Sequence, residues 1–527
     1  MEHIGKNFLN LSEGRSVLSK RRDPAADKGY GKPSSNSGNR RVSAREIFAV
    51  IDASEAELRW CQQIVGSMMM GTVGTVTGED IVGFQIRLYE AIAKLEKAYR
   101  ITKQEEKRLI REKRRFKPEW FRHRMAKLAI YIGYLNEVLS IARAIGDGYA
   151  WFFYERDPQL IDEHLQLQQQ KLLPPAQGAL GEKLTLERMQ GFDEKFLLYH
   201  GITTFLRMGD ISLIDLEKMR VTCVGELKTT RIDSEHVTVH VSFIAGERTN
   251  LPKKFKSVLP PNPEVKAPPL APAIKSNLDR QVKIMHESVG RAREAGKGPV
   301  IDGQFEFHHR ELEEVVNRSH AGGFEYIKAG DGLIIGALRL PRTKTLSASF
   351  IGKEVKNLER IASGIEAWAL KILAPGNEWN SINIGSFGGA ENLVTNSFCL
   401  PFFAWPVATD VLADIAFGRV IVVTLFNRGH LLNRLNEKGF EIELGPKGQL
   451  HRARKKMGEK FMELENYDHF LSMVPQALMT EDAVMSMMDQ TIDQTHRVPP
   501  EHRSAKIEFK TRIRRGSVRT LIGPNAA

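Results

Sequence analysis

From Ser43 to about Gln170, apolar residues recur every three or four positions in long runs, with few strand-like stretches, and this spacing predicts a helical region. The pattern then changes. Met208–Asp215 and Val221–Lys228 are short, apolar and rich in β-branched residues, and the polar Leu216–Met219 between them predicts a tight hairpin. Ahead of it, Leu184, Leu186, Met189, Phe192, Phe196 and Leu197 have helical spacing. Behind it, Val237–Ile244 alternates as a third strand, and Ser276 reads as the N-cap of a helix through Arg280, Gln281, Ile284, Met285, Val289 and Ala292. Further on, Phe324–Leu340 predicts two strands about Gly330-Asp331-Gly332. A helix over Glu354–Leu373, another over Pro406–Phe417 and a buried strand over Arg419–Phe426 complete the pattern.

These periodicities predict a mixed fold, α/β in the broad α+β sense, in five parts. A basic, Gly/Ser-rich tail over 1–42 is expected to be disordered. A helical region covers 43–175, and a core of strands and helices covers 176–342, with an exposed polyproline-like insertion near 259–273. An α/β accessory domain covers 343–505, and a basic tail covers 506–527. A chain of 527 residues has room for two or three domains and a sizeable core.

The formal net charge of +12 favours an anionic partner such as nucleic acid. Cys61, Cys223 and Cys399 are widely spaced, give neither a disulfide framework nor zinc spacing, and suit a reducing cytoplasm. The N-terminus has no apolar signal core, and the apolar stretch Val407–Phe426 is interrupted by Asp410, Asp414 and Arg419, so no membrane span is expected. Walker-lysine, Gly-x-Ser-x-Gly and His-Glu-x-x-His motifs are absent, which leaves NTPase, serine hydrolase and zincin chemistry without support. His308-His309 with Glu311, Glu313 and Glu314 has no ligand spacing and reads as helix surface. The glycine run Gly385–Ala390 lacks a phosphate-loop lysine and reads as a tight loop.

Chemistry concentrates at the hairpin. Pairing its strands antiparallel about Leu216–Met219 brings Asp210 beside or opposite Glu226, and Glu226 and Lys228, two apart, project from one face. Asp215, next to the turn, falls about 16 Å along the strand at about 3.3 Å per residue, and better serves the turn itself. Other acid-x-Lys pairs (Glu105/Lys107, Asp193/Lys195, Glu354/Lys356, Glu508/Lys510) lie mostly in charged, helix-like surroundings that favour solvated faces. Two carboxylates and an ammonium at one spot could hold a divalent cation and orient a water or neutralise a phosphate.

An Asp opening one strand and Glu-x-Lys on the next resembles the PD-(D/E)xK nuclease superfamily. The likeness is confined to the middle third of the chain, and Gly209 stands where the superfamily often has a proline. The resemblance implies a restriction-endonuclease-like core and Mg²⁺ or Mn²⁺ held by Asp210, Glu226 and an acid from the preceding helix. Glu182, after Gly178-Ala179-Leu180-Gly181, is the first candidate for that acid, with Glu187 and Glu194 as alternatives. Lys228 would position the attacking water, and Gln281 would lie near the site. The implied activity is hydrolysis of phosphodiester bonds, of DNA before RNA, in bacterial restriction or anti-phage defence, with a homo-oligomer or a defence-system protein as further partner. A non-catalytic module binding nucleic acid or protein is the alternative.

His200, in the loop before Asp210, is a candidate for a phosphate contact or for a structural hydrogen bond. The run Lys103–Arg124 collects Lys107, Arg111, Arg114 and Arg115, a candidate phosphate-tracking face. Glu105, Glu106 and Glu112 interleave it, and a solvated helix is the competing reading. Gly146 and Gly148, within Arg143–Trp151, suggest close packing against the core.

Overall fold

The computed structural model describes residues 41–70, 76–155, 157–167, 173, 182–183, 185–186, 191–192, 195–231, 237–245, 271–295, 300–303, 305–341, 345–347, 358–373, 381–387, 400–444, 450–464, 467–497 and 508–511. Both tails beyond these bounds, the Pro-rich stretch over 259–270, the glycines from Gly388 and the alternative acids Glu187 and Glu194 lie outside the described residues.

Three long helices, α1 (Ala44–Met70), α2 (Gly78–Arg111) and α3 (Pro118–Tyr154), pack on one another, and the short α4 (Pro158–Gln166) follows. Thr77 and Asp80 cap α2 reciprocally, and Pro118 opens α3 where its missing N–H costs nothing. Among the described residues α3 is the one helix long and apolar enough to cross a bilayer by length and composition, and 61% of its apolar window is buried inside the protein. Its last fourteen residues, Ile141–Tyr154, are buried on every side and so need no polar face. A Cβ on Gly146 would stand 2.0 Å from the Ile202 carbonyl oxygen, so only glycine lets α3 approach the loop that leads to Asp210.

The first sheet is an antiparallel run in chain order: β1 (Gly191–Phe192), β2 (Lys195–Tyr199), β3 (Ile211–Asp215), β4 (Arg220–Arg231) and β5 (Val237–Ala245). The hairpin and third strand are as expected. The helix expected through Phe196 and Leu197 is instead strand β2. Phe196, Leu197, Leu198 and Tyr199 are all buried, and a strand covered on both faces is a continuous apolar run whose spacing mimics a helix over so few residues. Gln85 of α2 serves as a substitute neighbour for β2, donating to the Leu197 carbonyl and accepting from the Tyr199 amide, both at 2.8 Å. Helix α5 (Pro272–Ala295) packs along α4, β4 and β5. It starts at Pro272 and not after Ser276, since proline suits a first helical turn.

Beyond β6 (Val300–Gly303) and α6 (His309–Arg318) lies a second antiparallel sheet, order β7-β8-β10-β9, of β7 (Phe324–Lys328), β8 (Leu333–Arg339), β9 (Ile382–Phe387) and β10 (Val420–Asn427). Residues on both sides of position 342 are therefore hydrogen-bonded in one sheet. Helix α7 (Leu358–Ile372) covers one face through Ala369, with Leu373 just beyond it, while Leu333, Ile335, Ala337 and Val422 join the main core. Helices α8 (Thr409–Ala416) and α9 (Arg428–Glu437) flank β10 in sequence. A three-stranded sheet of β11 (Phe440–Leu444), β12 (Leu450–Met457) and β13 (Lys460–Leu464) and helices α10 (Tyr467–Ala477) and α11 (Glu481–Arg497) follow, and β14 (Glu508–Thr511) pairs parallel with β6. The largest apolar cluster runs without a break from Val42 to Ile492.

His308 and His309 are not helix surface. Both are buried, and the His309 ring lies between Phe307 and Trp405, with centroids 4.9 and 4.8 Å away. Stacking of a neutral imidazole on aromatic rings accounts for His309, while His308 lies 3.7 Å from the Glu311 carboxylate.

Candidate active site at the Asp210–Lys228 hairpin

The hairpin register decides which side chains meet. Asp215 pairs with Arg220 and its carboxylate accepts from the Glu217 and Lys218 amides, so it serves the turn as expected. Along the strands Leu213 faces Cys223 but Ile214 faces Val221, so Thr222 is an extra residue in β4. This bulge shifts the pairing by one. Ile211 then faces Gly225, the last paired position, and Asp210, just before β3, donates its amide to that same Gly225 carbonyl.

The loop that delivers Asp210 is tied down along its length. Asp147 of α3 accepts from the Thr204 amide and hydroxyl, each at 2.6 Å, and Arg207 donates to the Thr204, Leu165 and Leu167 carbonyls. The Asp210 amide donates to the Gly225 carbonyl (2.8 Å), and the His200 amide donates to the Asp210 carbonyl (2.9 Å). Gly209 has φ +68°, and a Cβ there would stand 2.5 Å from the Gly225 oxygen and 2.9 Å from the Met285 sulfur. Proline, locked near −65°, cannot adopt that conformation, which explains why glycine precedes the aspartate here.

Glu182, Asp210, Glu226, Lys228 and Gln281 line one cavity of about 690 Å³, together with Leu167, Arg207–Gly209, Leu227, Thr229, Ile284 and Met285. Five of the residues singled out from the sequence therefore converge. Asp210 Oδ2 accepts from the Leu227 amide at 2.7 Å, and the Lys228 ammonium lies on the Glu226 carboxylate. Glu182 sits in a helical stretch and accepts from the Tyr199 hydroxyl. Burial, with the negative charge of Glu226 beside it, pushes the Asp210 carboxyl up to about 7, against the opposing pull of the Leu227 amide and Lys228. Burial pushes Glu182 up to about 8, with the charges of Asp210 and Glu226 adding to the shift and the Tyr199 hydroxyl opposing it. Acids raised by one another's charge in a cleft are a functional-site signature.

Other named candidates lie elsewhere. His200 is buried behind the cavity, with Nδ1 3.1 Å from the Gly209 carbonyl and Nε2 2.7 Å from Ser212 Oγ, so it cannot reach a phosphate. Lys107, Arg111, Arg114 and Arg115 are exposed at the turn between α2 and α3 and do not line the cavity. Lys103–Arg124 is not one helix: α2 ends at Arg111, a 3-10 turn spans Lys113–Arg115, and α3 begins at Pro118. Glu105 offsets none of the exposed charge, being buried against Arg124 at 2.6 Å and the Val42 amide at 2.7 Å. Sequence reasoning missed Tyr199, Arg207 and Leu167. Only their nearness to Asp210 in space marks them, and no spacing rule reports that.

Among the described residues, no three His, Cys, Asp or Glu side chains stand together closely enough to hold a metal ion. The donor set nonetheless fits a hard divalent cation of the magnesium type, which takes one or two carboxylates and keeps several waters. Asp210 and Glu226 are neighbouring carboxylates with the Lys228 ammonium on Glu226, and the buried side-chain oxygen of Gln281 has no hydrogen-bond partner among the described residues. No family model, no curated protein and no solved structure matches the chain.

Proposed function

We propose that the cavity is the site of a divalent-cation-dependent phosphodiesterase acting on nucleic acid, DNA before RNA. The carrying observation is the convergence of Glu182, Asp210, Glu226 and Lys228, from three separate chain segments, on one cavity. Asp210 and Glu226 would hold Mg²⁺ or Mn²⁺, with Glu182 supplying a third carboxylate to the same space. When bound, such an ion activates a water and offsets charge on the phosphate. Hydrolysis would form a P–O bond to the water oxygen and break the P–O bond to the departing sugar oxygen, which takes up a proton. Lys228, released from Glu226, orients the water and neutralises charge building on the phosphoryl oxygens. Leu167, Leu227, Ile284 and Met285 give the cavity an apolar side, near which charges interact more strongly than in open water. A restriction or anti-phage defence setting, in the cytoplasm and with a second copy or a defence protein as partner, belongs to the same proposal.

The test is cleavage of plasmid DNA and of RNA with Mg²⁺ or Mn²⁺ added or chelated. Asp210→Ala, Glu226→Ala and Lys228→Ala should each lose roughly a hundredfold or more while staying folded, because each removes transition-state stabilisation and not packing. Full activity in Lys228→Ala would refute the assignment. A second reading is favoured by the Glu226–Lys228 ion pair: a binding module whose acids are structural. It requires binding of nucleic acid or of a protein partner with no cation-dependent cleavage.

A further inference from the structure

Behind Asp210 lie four buried polar side chains from four different elements: Tyr154 at the end of α3, His164 in α4, His200 after β2 and Ser212 in β3. Their hydrogen bonds can be followed in one direction only. The Met208 amide is a donor, so His164 Nδ1 accepts from it (2.9 Å) and His164 carries its proton on Nε2. That Nε2–H points to the Tyr154 hydroxyl oxygen at 3.3 Å. At the other end the Gly209 carbonyl is an acceptor, so His200 Nδ1–H donates to it (3.1 Å) and His200 Nε2 must accept. Its donor is the Ser212 hydroxyl at 2.7 Å, which leaves Ser212 Oγ to accept from the Tyr154 hydroxyl at 2.5 Å. Each hydroxyl gives once and receives once. Both imidazoles are neutral in this arrangement, and burial holds both below their ordinary range.

We infer that Tyr154, His164, His200 and Ser212 are positioning residues. They form a closed chain of hydrogen bonds that begins on Met208 and ends on Gly209, the two residues before Asp210, and holds the Asp210 carboxylate against Glu226. The inference rests on the cation-dependent reading of the cavity. Its physical basis is that a cyclic network anchored on backbone at both ends fixes both tautomers and cannot be loosened at one member without orphaning the next. It also ties the site to the helical region, because Tyr154 and His164 are the contributions of α3 and α4.

Tyr154→Phe removes one oxygen from the loop and keeps the packing ring. The full chain with this substitution should bind Mn²⁺, titrated by calorimetry or electron paramagnetic resonance, roughly 10- to 100-fold more weakly, as loss of outer-shell support to a metal site typically does. Amide hydrogen exchange at Met208 and Asp210 should rise in the same variant. Ser212→Ala should reproduce both effects, while Ser212→Thr, which keeps a hydroxyl, should restore them in part. A lowered melting temperature with unchanged Mn²⁺ affinity and unchanged exchange at Met208 would assign the loop to packing alone and overturn the inference. If the unsubstituted protein binds no Mn²⁺, the reading of the cavity itself falls, and this positioning role falls with it.

Discussion

Gly209→Ala tests the geometry of the site most directly. The alanine must adopt φ near +68°, a left-handed conformation that costs an L-residue about 1–2 kcal/mol. Its Cβ would also stand 2.5 Å from the Gly225 oxygen, which accepts the Asp210 amide, and 2.9 Å from the Met285 sulfur. The sulfur is the end of a flexible side chain and can move. The carbonyl is strand backbone and cannot move without carrying the hairpin along. Overpacking of this kind adds about 1–3 kcal/mol, for a total near 2–5 kcal/mol. Gly322→Ala is the matched control, with φ +78° and nothing within 4 Å of its Cβ, so it carries the backbone strain alone. Thermal unfolding should rank Gly209→Ala well below Gly322→Ala. Cation-dependent cleavage should fall roughly a hundredfold only in the former, because a shift on the order of 1 Å in a reacting group costs about that much. If the two variants match in melting temperature and cleavage, the close approach at Gly209 does not position Asp210 and the reasoning fails.

Burial between aromatic rings lowers His309 to about 3, so it is neutral when folded and binds a proton more readily when unfolded. Its stabilising contribution is complete above about 6.5 and is lost as pH falls from there toward 3, amounting to about 2 kcal/mol by pH 5. Chemical denaturation at pH 7 and 5 should therefore show a smaller loss in His309→Leu than in the unsubstituted chain, and equal losses would contradict the burial argument. Neutralising Lys107, Arg111, Arg114 and Arg115 together should lower the slope of log affinity against log salt by about 0.7–0.9 for each phosphate contact removed; an unchanged slope would leave the α2–α3 turn with no part in binding. Arg143→Ala strips the buried Glu96 of a partner 2.9 Å away and should destabilise by about 3–5 kcal/mol in denaturant titration. A loss below about 1 kcal/mol would mean that Arg100 and the Leu173 amide suffice to hold Glu96.

Local rules made part of this protein legible. A polar tetrapeptide between two β-branched runs is a turn wherever it occurs, and Asp215 caps it because a short carboxylate reaches the next amides. Glu226 and Lys228 share a face because side chains alternate along any strand. Arg419–Phe426 reads as a buried strand and Pro406–Phe417 as a helix, and the fold has them as Val420–Asn427 and Thr409–Ala416, for the same reason: apolar spacing reports which faces will lose water. What failed is where local spacing is degenerate. Phe196–Tyr199 fits helix or strand equally over its short span, and only burial on both faces, with Gln85 reaching in from α2, makes it a strand.

The site itself depended on tertiary structure. Nothing local marks Thr222 as a bulge, yet that single extra residue resets the register of the strand that carries Glu226 and Lys228. Nothing local links Tyr154 and His164 to Ser212 across dozens of residues, because a hydrogen bond between distant segments exists only once packing brings them together. The acidity of Asp210 and Glu182 is likewise a property of the assembled cavity, since burial and one another's charge raise both. Residue types and their alternation along each strand were thus set by the sequence, whereas register, burial and charge proximity, which depend on non-local contacts, were decided only in the folded chain.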